Sequence, residues 1–431
     1  VSEPLRLGIA GLGTVGAGVL CLLEEQQELL RQRCGRALKV TAVSARDRKK
    51  IRSVTISPSM TWHDDAIDLA KDANVDVVVE LIGGAEGVAR QIVEMALDAG
   101  KHVVTANKAL LALHGSALAA RAEKADRALC FEAAVGGGIP VIKAMREGLA
   151  ANRFERVYGI LNGTCNYILT KMEDTGADFN TVLSEAQDLG YAEADPSFDV
   201  DGVDTAHKLA ILASLAYGAH VDFSGVFMEG IRQVGALDIQ FAKEFGYRIK
   251  LLGLARRTAH GIEQRVHPCM APTGSPIAEV GGVTNAVVAV GNYAGQSVFE
   301  GPGAGAGPTA SAVIADIIDI ARNRILPPFA APSSQLEHAR VSPMALHQGA
   351  YYVRLTVLDE PGVMAGITAI MAEHGVSIDS IIQRGRSPGY GVPVVLITHE
   401  TEEARMDRVL AQLSELRQVI ENPVRIRIEK L

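Results

Sequence analysis

"LGIAGLGTVGAGVL", Leu7–Leu20, is a short apolar run that breaks into glycines and continues as an apolar-periodic segment to about Leu30. Gly11, Gly13 and Gly16 stand between the two patterns. The first glycine allows a tight turn, the second lets backbone approach a pyrophosphate, and the third permits close packing of helix on strand. The start of the helix, at Thr14 and Val15, would offer N–H groups and a positive dipole to phosphates. A glycine turn without a ligand can carry the same letters, so the strand before it and the helix after it carry the weight. "LKVTAVSA" (38–45), "VDVVVELIG" (75–83), "KHVVTANK" (101–108) and "ALCFEAAV" (128–135) read as further buried strands. Helical patterns such as "GVARQIVEMALDAG" (87–100) separate them. Apolar strands alternating with helices predict an α/β, doubly wound parallel sheet covered on both faces.

This Rossmann-type unit is expected over about 1–135, as an NAD(P)-binding domain. From about 136 to 325 the texture changes to helices followed by two hairpin-like pairs, "RIKLLGLARRTAHGIEQRVHPCMAP" (248–272) and "NAVVAVGNYAGQSVFEGPG" (285–303). A second, α+β domain fits, and its last helix, about 307–325, is expected to return to the first. "LPPFAAPSSQLEHARVSP" (326–343) lacks periodicity, so about 326–349 reads as a linker. The tail, about 350–431, gives strand, helix, strand "SIDSIIQRG" (377–385), strand, helix, strand. That βαββαβ order predicts a ferredoxin-like unit.

The length of 431 residues is too great for one ordinary core, and 48% hydrophobic with 21% charged residues is an ordinary globular balance. A net charge of −8 leaves no electrostatic footprint for nucleic acid. No apolar run approaches the roughly 20 residues that span a bilayer. The first residues run directly into a strand pattern without a signal peptide, which predicts a cytoplasmic protein. The five cysteines are scattered with no CxxC pair, as expected of reduced thiols rather than a disulfide frame or a structural zinc site.

Cofactor choice turns on the end of the second strand, where an NAD site usually places Asp or Glu. Here Ser44 and Ala45 are followed by Arg46, Asp47, Arg48, Lys49 and Lys50. Arg46 could pair with a 2′-phosphate, which favours NADP(H), while Asp47 keeps NAD(H) use and a merely solvated turn open.

"GYAEADPSFDVDGVDTAHKL", Gly190–Leu209, sets five carboxylates ahead of a lysine. Ser197, Asp199, Asp201 and Gly202 match the opening of a calcium loop, but the twelfth position is Lys208, where calcium needs a bidentate Glu. On a helix from about Val203, Asp204 and Lys208 lie four residues apart on the apolar side. Buried Asp and Lys are paired or functional. The cluster then reads as a polar constellation fed by Glu193 and Asp199, or as a structural ion pair. With a nicotinamide fold, it suggests carbonyl reduction with a lysine proton donor and an amino-acid-like substrate.

"GLGTVG", "TANKALL", "FEAAVGGGIPVI", "GILNGTCNYIL", "GYAEADPSFDVDGVDTAHKL" and "GPGAGAGPTASAV" follow one another as they do in homoserine dehydrogenases, and the chain resembles that family over about 1–325. The last three motifs are specific to it. The tail, with "LTVLDEPGVMAGITAIMAEHGVSI", resembles an ACT domain, as in the monofunctional bacterial enzymes with a C-terminal regulatory domain. The resemblance implies NAD(P)H-dependent interconversion of L-aspartate 4-semialdehyde and L-homoserine, on the route to threonine and methionine. It implies Lys208 as proton donor, Lys108 as a second proton-transfer participant, and Glu193 and Asp204, with Asp199, as substrate contacts. Thr14, Val15, Arg46, Thr105, Lys108, Gly190 and Gly305 match cofactor contacts. Glu132, Val135, Gly137 and Ile139 match a sodium (Na+) site of carbonyl oxygens and a carboxylate. Cys165 stands where the family pattern has Thr. In the tail, Asp359 to Gly362 is the turn where ACT domains receive an amino acid, with threonine the natural effector; a dimerising module without ligand is the other reading. Family analogy further implies a homodimer or homotetramer. Two other functions remain beside this one: a different NAD(P)-dependent amino-acid or sugar dehydrogenase, or an NADP-binding amino-acid sensor without turnover.

Overall fold

Residues 3–52, 54–384 and 391–431 are described by the computed structural model. Strands β1 (Leu5–Ala10), β2 (Leu38–Ser44), β3 (Thr61–His63), β4 (Val77–Glu80), β5 (His102–Thr105) and β6 (Leu129–Cys130) form a parallel sheet in the order β3-β2-β1-β4-β5-β6. Side chains of one strand alternate between two cores, as the period of two requires. Val77 and Val79 join Ile9, Val313 and Ile317 on one face. Val78 joins Ile92, Val103 and Leu111 on the other. The Ala306–Ala321 helix packs along the Thr14–Glu25 helix on the first of these faces. The strand order reverses between β1 and β4, which opens a crevice beyond their carboxyl ends.

A second sheet contains β7 (Phe154–Ile160), β8 (Val226–Met228), β9 (Tyr247–Thr258), β10 (Gly261–Pro272), β11 (Thr284–Gly291) and β12 (Gly295–Pro302). It continues into β13 (Gln348–Leu358), β14 (Ile378–Gln383), β15 (Gly391–Thr398), β16 (Thr401–Glu402) and β17 (Val424–Ile428). Its main path runs β12-β11-β7-β9-β10-β17-β13-β15-β14. The βαββαβ tail is therefore joined edge to edge with the preceding sheet. β17 pairs in parallel with β10 at Cys269↔Arg427 and Met270↔Ile428. Buried charge reinforces the seam: Arg265 pairs with Glu429, Arg427 with Glu229 and Glu403, and Asp238 accepts from Tyr352 and Arg354 at 2.9 and 2.6 Å. The stretch expected to be a linker is pinned by bridges Ala219↔Glu337 and Ile262↔Val341.

One expectation about the sheets needs correction. "ALCFEAAV" is strand only at Leu129–Cys130 and then becomes a 3-10 turn, Glu132–Ala134. There the Glu132 amide turns to Asp316 Oδ2 at 2.8 Å instead of to a neighbouring strand. The strands β3, β7 and β8 were not anticipated. The last residue of the strand expected over 377–385 lies outside the described residues. No described helix is long and apolar enough to cross a membrane. The five cysteines are free thiols, all buried except the half-buried Cys21.

Candidate active site

A cleft of about 860 Å³ opens past the carboxyl ends of β1 and β2, walled by Gly11, Gly13, Ser44, Arg46, Lys50 and Arg52 among others. A Cβ on Gly16 would fall 2.1 Å from the Gly11 carbonyl oxygen, so only glycine lets the helix start so close to the strand. A Cβ on Gly13 would meet nothing within 4 Å, which leaves its backbone open to a pyrophosphate. The residues present thus fit a dinucleotide. At the rim, Asp47 Oδ1 accepts the Lys49 amide at 2.8 Å and so closes its own turn. Arg52 donates to the Asp47 and Lys50 carbonyls at 2.5 and 2.9 Å, while Arg48 and Arg52 both lie 5.5 Å from the Trp62 ring centre. Sequence reading missed Arg52 and Trp62, because a three-residue strand carries no periodic signal.

Deeper in, a cavity of about 520 Å³ brings Val15, Gly190 and Gly305 together with Lys108, Asp204 and Lys208. Asp199 and Gly137 also line it. The Val203–Tyr217 helix carries Asp204 and Lys208 and is buried on nearly every face, more completely than its one apolar arc suggested. Lys208 Nζ donates to the Leu161 carbonyl at 2.6 Å and to Asp204 Oδ2 at 2.7 Å. Lys108, at the start of the Lys108–Ala125 helix, pairs with Asp204 Oδ1 and lies 5.5 Å from the Phe198 ring centre. Asn162 Nδ2 donates to Asp199 Oδ1 at 2.7 Å and Asp204 Oδ2 at 2.9 Å. Asn162 stands in the "GILNGTCNYIL" motif, where the sequence alone assigns it no role. Its partners lie 37 and 42 residues away, beyond any local pattern.

The electrostatics follow from burial. Burial alone would raise Asp204, but Lys208 and Lys108 hold it below the usual carboxylate range. Burial lowers Lys208, with Asp204 opposing. Burial, and then Asp204, push Asp199 up.

Other expected residues are placed differently. Glu193 is exposed and does not line the cavity; its backbone carbonyl is held by Gln187 Nε2 at 3.0 Å. The Thr105 hydroxyl is fully buried and donates to Glu80 Oε2 at 2.5 Å, so it shapes the β4–β5 ends rather than the cavity wall. Both Glu132 carboxylate oxygens accept backbone amides, from Ile142 and Lys143 at 2.8 and 2.9 Å. That carboxyl, raised to about 7 by burial and then Asp316, is held by the amides of a helix start. A sodium ion at Val135, Gly137 and Ile139 would rest on backbone carbonyls. Cys165 is buried, with its thiol toward the Asp199 carbonyl at 3.2 Å. Asp359 and Gly362 lie between β13 and the Val363–Glu373 helix, with Gly362 at φ 93°. His267, Cys269 and Glu429 converge as a metal trio might, but the Arg265 guanidinium contacts both His267 and Glu429, a cation where an ion would sit.

A glycine-walled nucleotide cleft leading to a buried lysine–carboxylate cluster defines a nicotinamide-dependent oxidoreductase. Family models match throughout: the NAD-binding domain of homoserine dehydrogenase over 11–132, homoserine dehydrogenase over 140–318, and an ACT domain over 351–418. The chain is 46% identical to homoserine dehydrogenase of Pseudomonas aeruginosa, with 100% of each covered. A crystal structure of a homoserine dehydrogenase from Thiobacillus denitrificans superimposes with a TM-score of 0.94 at 44% identity, over 100% of this chain and 99% of the other. A hyperthermophilic archaeal homoserine dehydrogenase in complex with NADPH covers 73% of this chain and 97% of its own, at a TM-score of 0.63 and 27% identity. The chain belongs to the homoserine dehydrogenase family.

Proposed function

We propose that this chain interconverts L-aspartate 4-semialdehyde and L-homoserine with Lys208 as the group that exchanges a proton with the reacting oxygen. The observation that carries the assignment is the fixed Lys208 ammonium, held at 2.6 and 2.7 Å by Leu161 and Asp204 in the wall shared with Val15 and Gly305. Two of its three N–H donors are engaged, and the third is free to face substrate. A bound nicotinamide supplies the hydride in one direction and takes it in the other. Asp204 keeps Lys208 oriented, and Asp199 and Asp204 suit a substrate ammonium. Lys108, about a third exposed, neutralises Asp204 from the solvent side.

NADP(H) is the preferred cofactor in this reading, because no carboxylate ends β2 and Arg46, Lys50 and Arg52 line the cleft, although Asp47, Asp64, Asp65 and Glu86 line it too. Arg46→Ala is expected to weaken NADPH binding about tenfold, the weight of one charged hydrogen bond, and to leave NADH binding unchanged. Calorimetric titration of both cofactors checks it.

Threonine is the proposed effector at the Asp359–Gly362 turn. Support comes from a physical route between the ACT unit and the cluster. Arg425 and Arg427 of β17 hold Glu229, and Ile231 donates to the Val200 carbonyl at 2.9 Å, four residues before Asp204. The whole reading is tested by following absorbance at 340 nm with homoserine and NADP+ or NAD+, with and without threonine, in sodium or potassium chloride. A threonine-inhibited signal that rises with pH is expected. No signal with either cofactor would refute the enzymatic assignment, and equal rates in both salts would remove sodium from it.

A further inference from the structure

We propose that Asn285 orients the cofactor by pairing its side-chain amide with the carboxamide of the nicotinamide. The proposal rests on the oxidoreductase reading above and adds a residue to it. Four asparagines are buried among the described residues: Asn107, Asn162, Asn166 and Asn285. The other three are hydrogen-bonded at both the amide oxygen and the amide nitrogen. Asn107 caps a helix and donates to Gly84, Asn162 holds Asp199, Asp204 and Cys165, and Asn166 links Val280, Thr284 and Lys250. Asn285 Oδ1 is buried, in a residue only 1% exposed, and has no hydrogen-bond partner among the described residues. An unpaired buried amide loses its water without compensation, so a partner is expected in the working complex.

The location says which partner. Asn285 sits in β11, in register with Gly301 of β12, and lines the cavity that contains Lys208 and Gly305. Its amide lies in a slot between two glycines. A Cβ on Gly303 would fall 2.1 Å from Asn285 Nδ2, and one on Gly163 would fall 3.6 Å from Oδ1. Gly163 follows Asn162, which orders the carboxylates. Gly303 leads into Gly305 and the Ala306–Ala321 helix, which packs on the nucleotide-binding helix. The amide thus stands where the substrate half and the cofactor half of the cavity meet. The charged groups of the cavity, Lys108, Asp199, Asp204 and Lys208, complement a charged amino acid. A neutral amide is self-complementary to a neutral carboxamide, accepting from its NH2 and donating to its C=O. Such a pair would fix which face of the ring turns toward Lys208.

Calorimetric titration separates the possibilities. NADPH is compared with its reduced 3-acetylpyridine analogue, whose acetyl group accepts a hydrogen bond but has no N–H to give. The wild type is expected to favour NADPH by about tenfold, the weight of one well-made buried contact. Asn285→Ala is expected to bind both alike, below the wild type's affinity for the analogue because the bond to the retained C=O is lost as well, with 2′,5′-ADP affinity unchanged. Because the amide has no partner in the free protein, the unfolding midpoint of Asn285→Ala should not fall. Retained discrimination in Asn285→Ala would overturn the proposal. So would unchanged NADPH affinity with a raised KM for homoserine, which would turn the amide toward the substrate ammonium. No change in either quantity would mean that an ordered water satisfies the amide, and that too overturns it. Loss of all homoserine turnover in the wild type would instead sink the functional reading on which the proposal stands.

Discussion

Lys208→Ala is expected to slow homoserine oxidation about 10²–10⁴-fold in kcat, the usual weight of one positioned acid–base group. NADPH affinity should change less than about twofold, because the loss falls on the reacting oxygen rather than on the dinucleotide. The geometry singles out this lysine: its ammonium is fixed by a carbonyl and a carboxylate within 2.7 Å. Lys108 instead approaches from the more open side and touches Asp204 and the Phe198 ring. Oxidation requires the neutral amine to take the alcohol proton, and burial lowers the Lys208 pKa. The wild-type rate should therefore climb with pH and level off below about 10.5, the ordinary lysine value. Lys208→Arg stays cationic throughout that range and should lose oxidation while keeping the ion pair. The check is a pH profile of kcat at 340 nm for wild type, Lys208→Ala, Lys208→Arg and Lys108→Ala. Full activity in Lys208→Ala with loss in Lys108→Ala would transfer the role to Lys108.

What could be seen in the sequence depended on distance along the chain. The β1–glycine–helix unit was legible because its signal is confined to Leu7–Leu20, and the Asp204–Lys208 pair because four residues make one helical turn. Leu161 and Asn162, which hold that pair, were not, since they reach it across 47 and 42 residues through the end of β7. The same limit hid the seam between β10 and β17, a parallel pairing of Met270 with Ile428 that no local pattern encodes. As a result, the ACT tail looked like a module beyond a linker, whereas its last strand extends the preceding sheet. Glu193 shows the reverse relation between motif and cavity. It belongs to the motif by sequence, yet its carboxylate stands in solvent outside the cavity.

Asp204 should carry the largest stability effect of any residue in the cavity. It is buried, and it is the shared anion of two lysines and Asn162. Asp204→Asn leaves the buried Lys208 ammonium without its counter-charge, and breaking such a pair from one side costs about 3–5 kcal/mol. The variant should also be nearly inactive, because Lys208 loses the partner that aims it. Stability and catalysis can be told apart with the double change Asp204→Asn/Lys208→Met, which replaces the stranded charge by an apolar chain of similar length. That double variant is expected to regain most of the unfolding midpoint and none of the turnover. The acid limb gives an independent check. The folded pKa of Asp204 is held below its unfolded value of about 3.9, so its contribution is present above that pH and is lost as pH falls through the folded value. Asp204→Asn should therefore flatten the decline of the unfolding midpoint below about pH 4 relative to wild type. A double variant as unstable as Asp204→Asn alone would show that the carboxylate acts through its hydrogen bond to Asn162 rather than through Lys208.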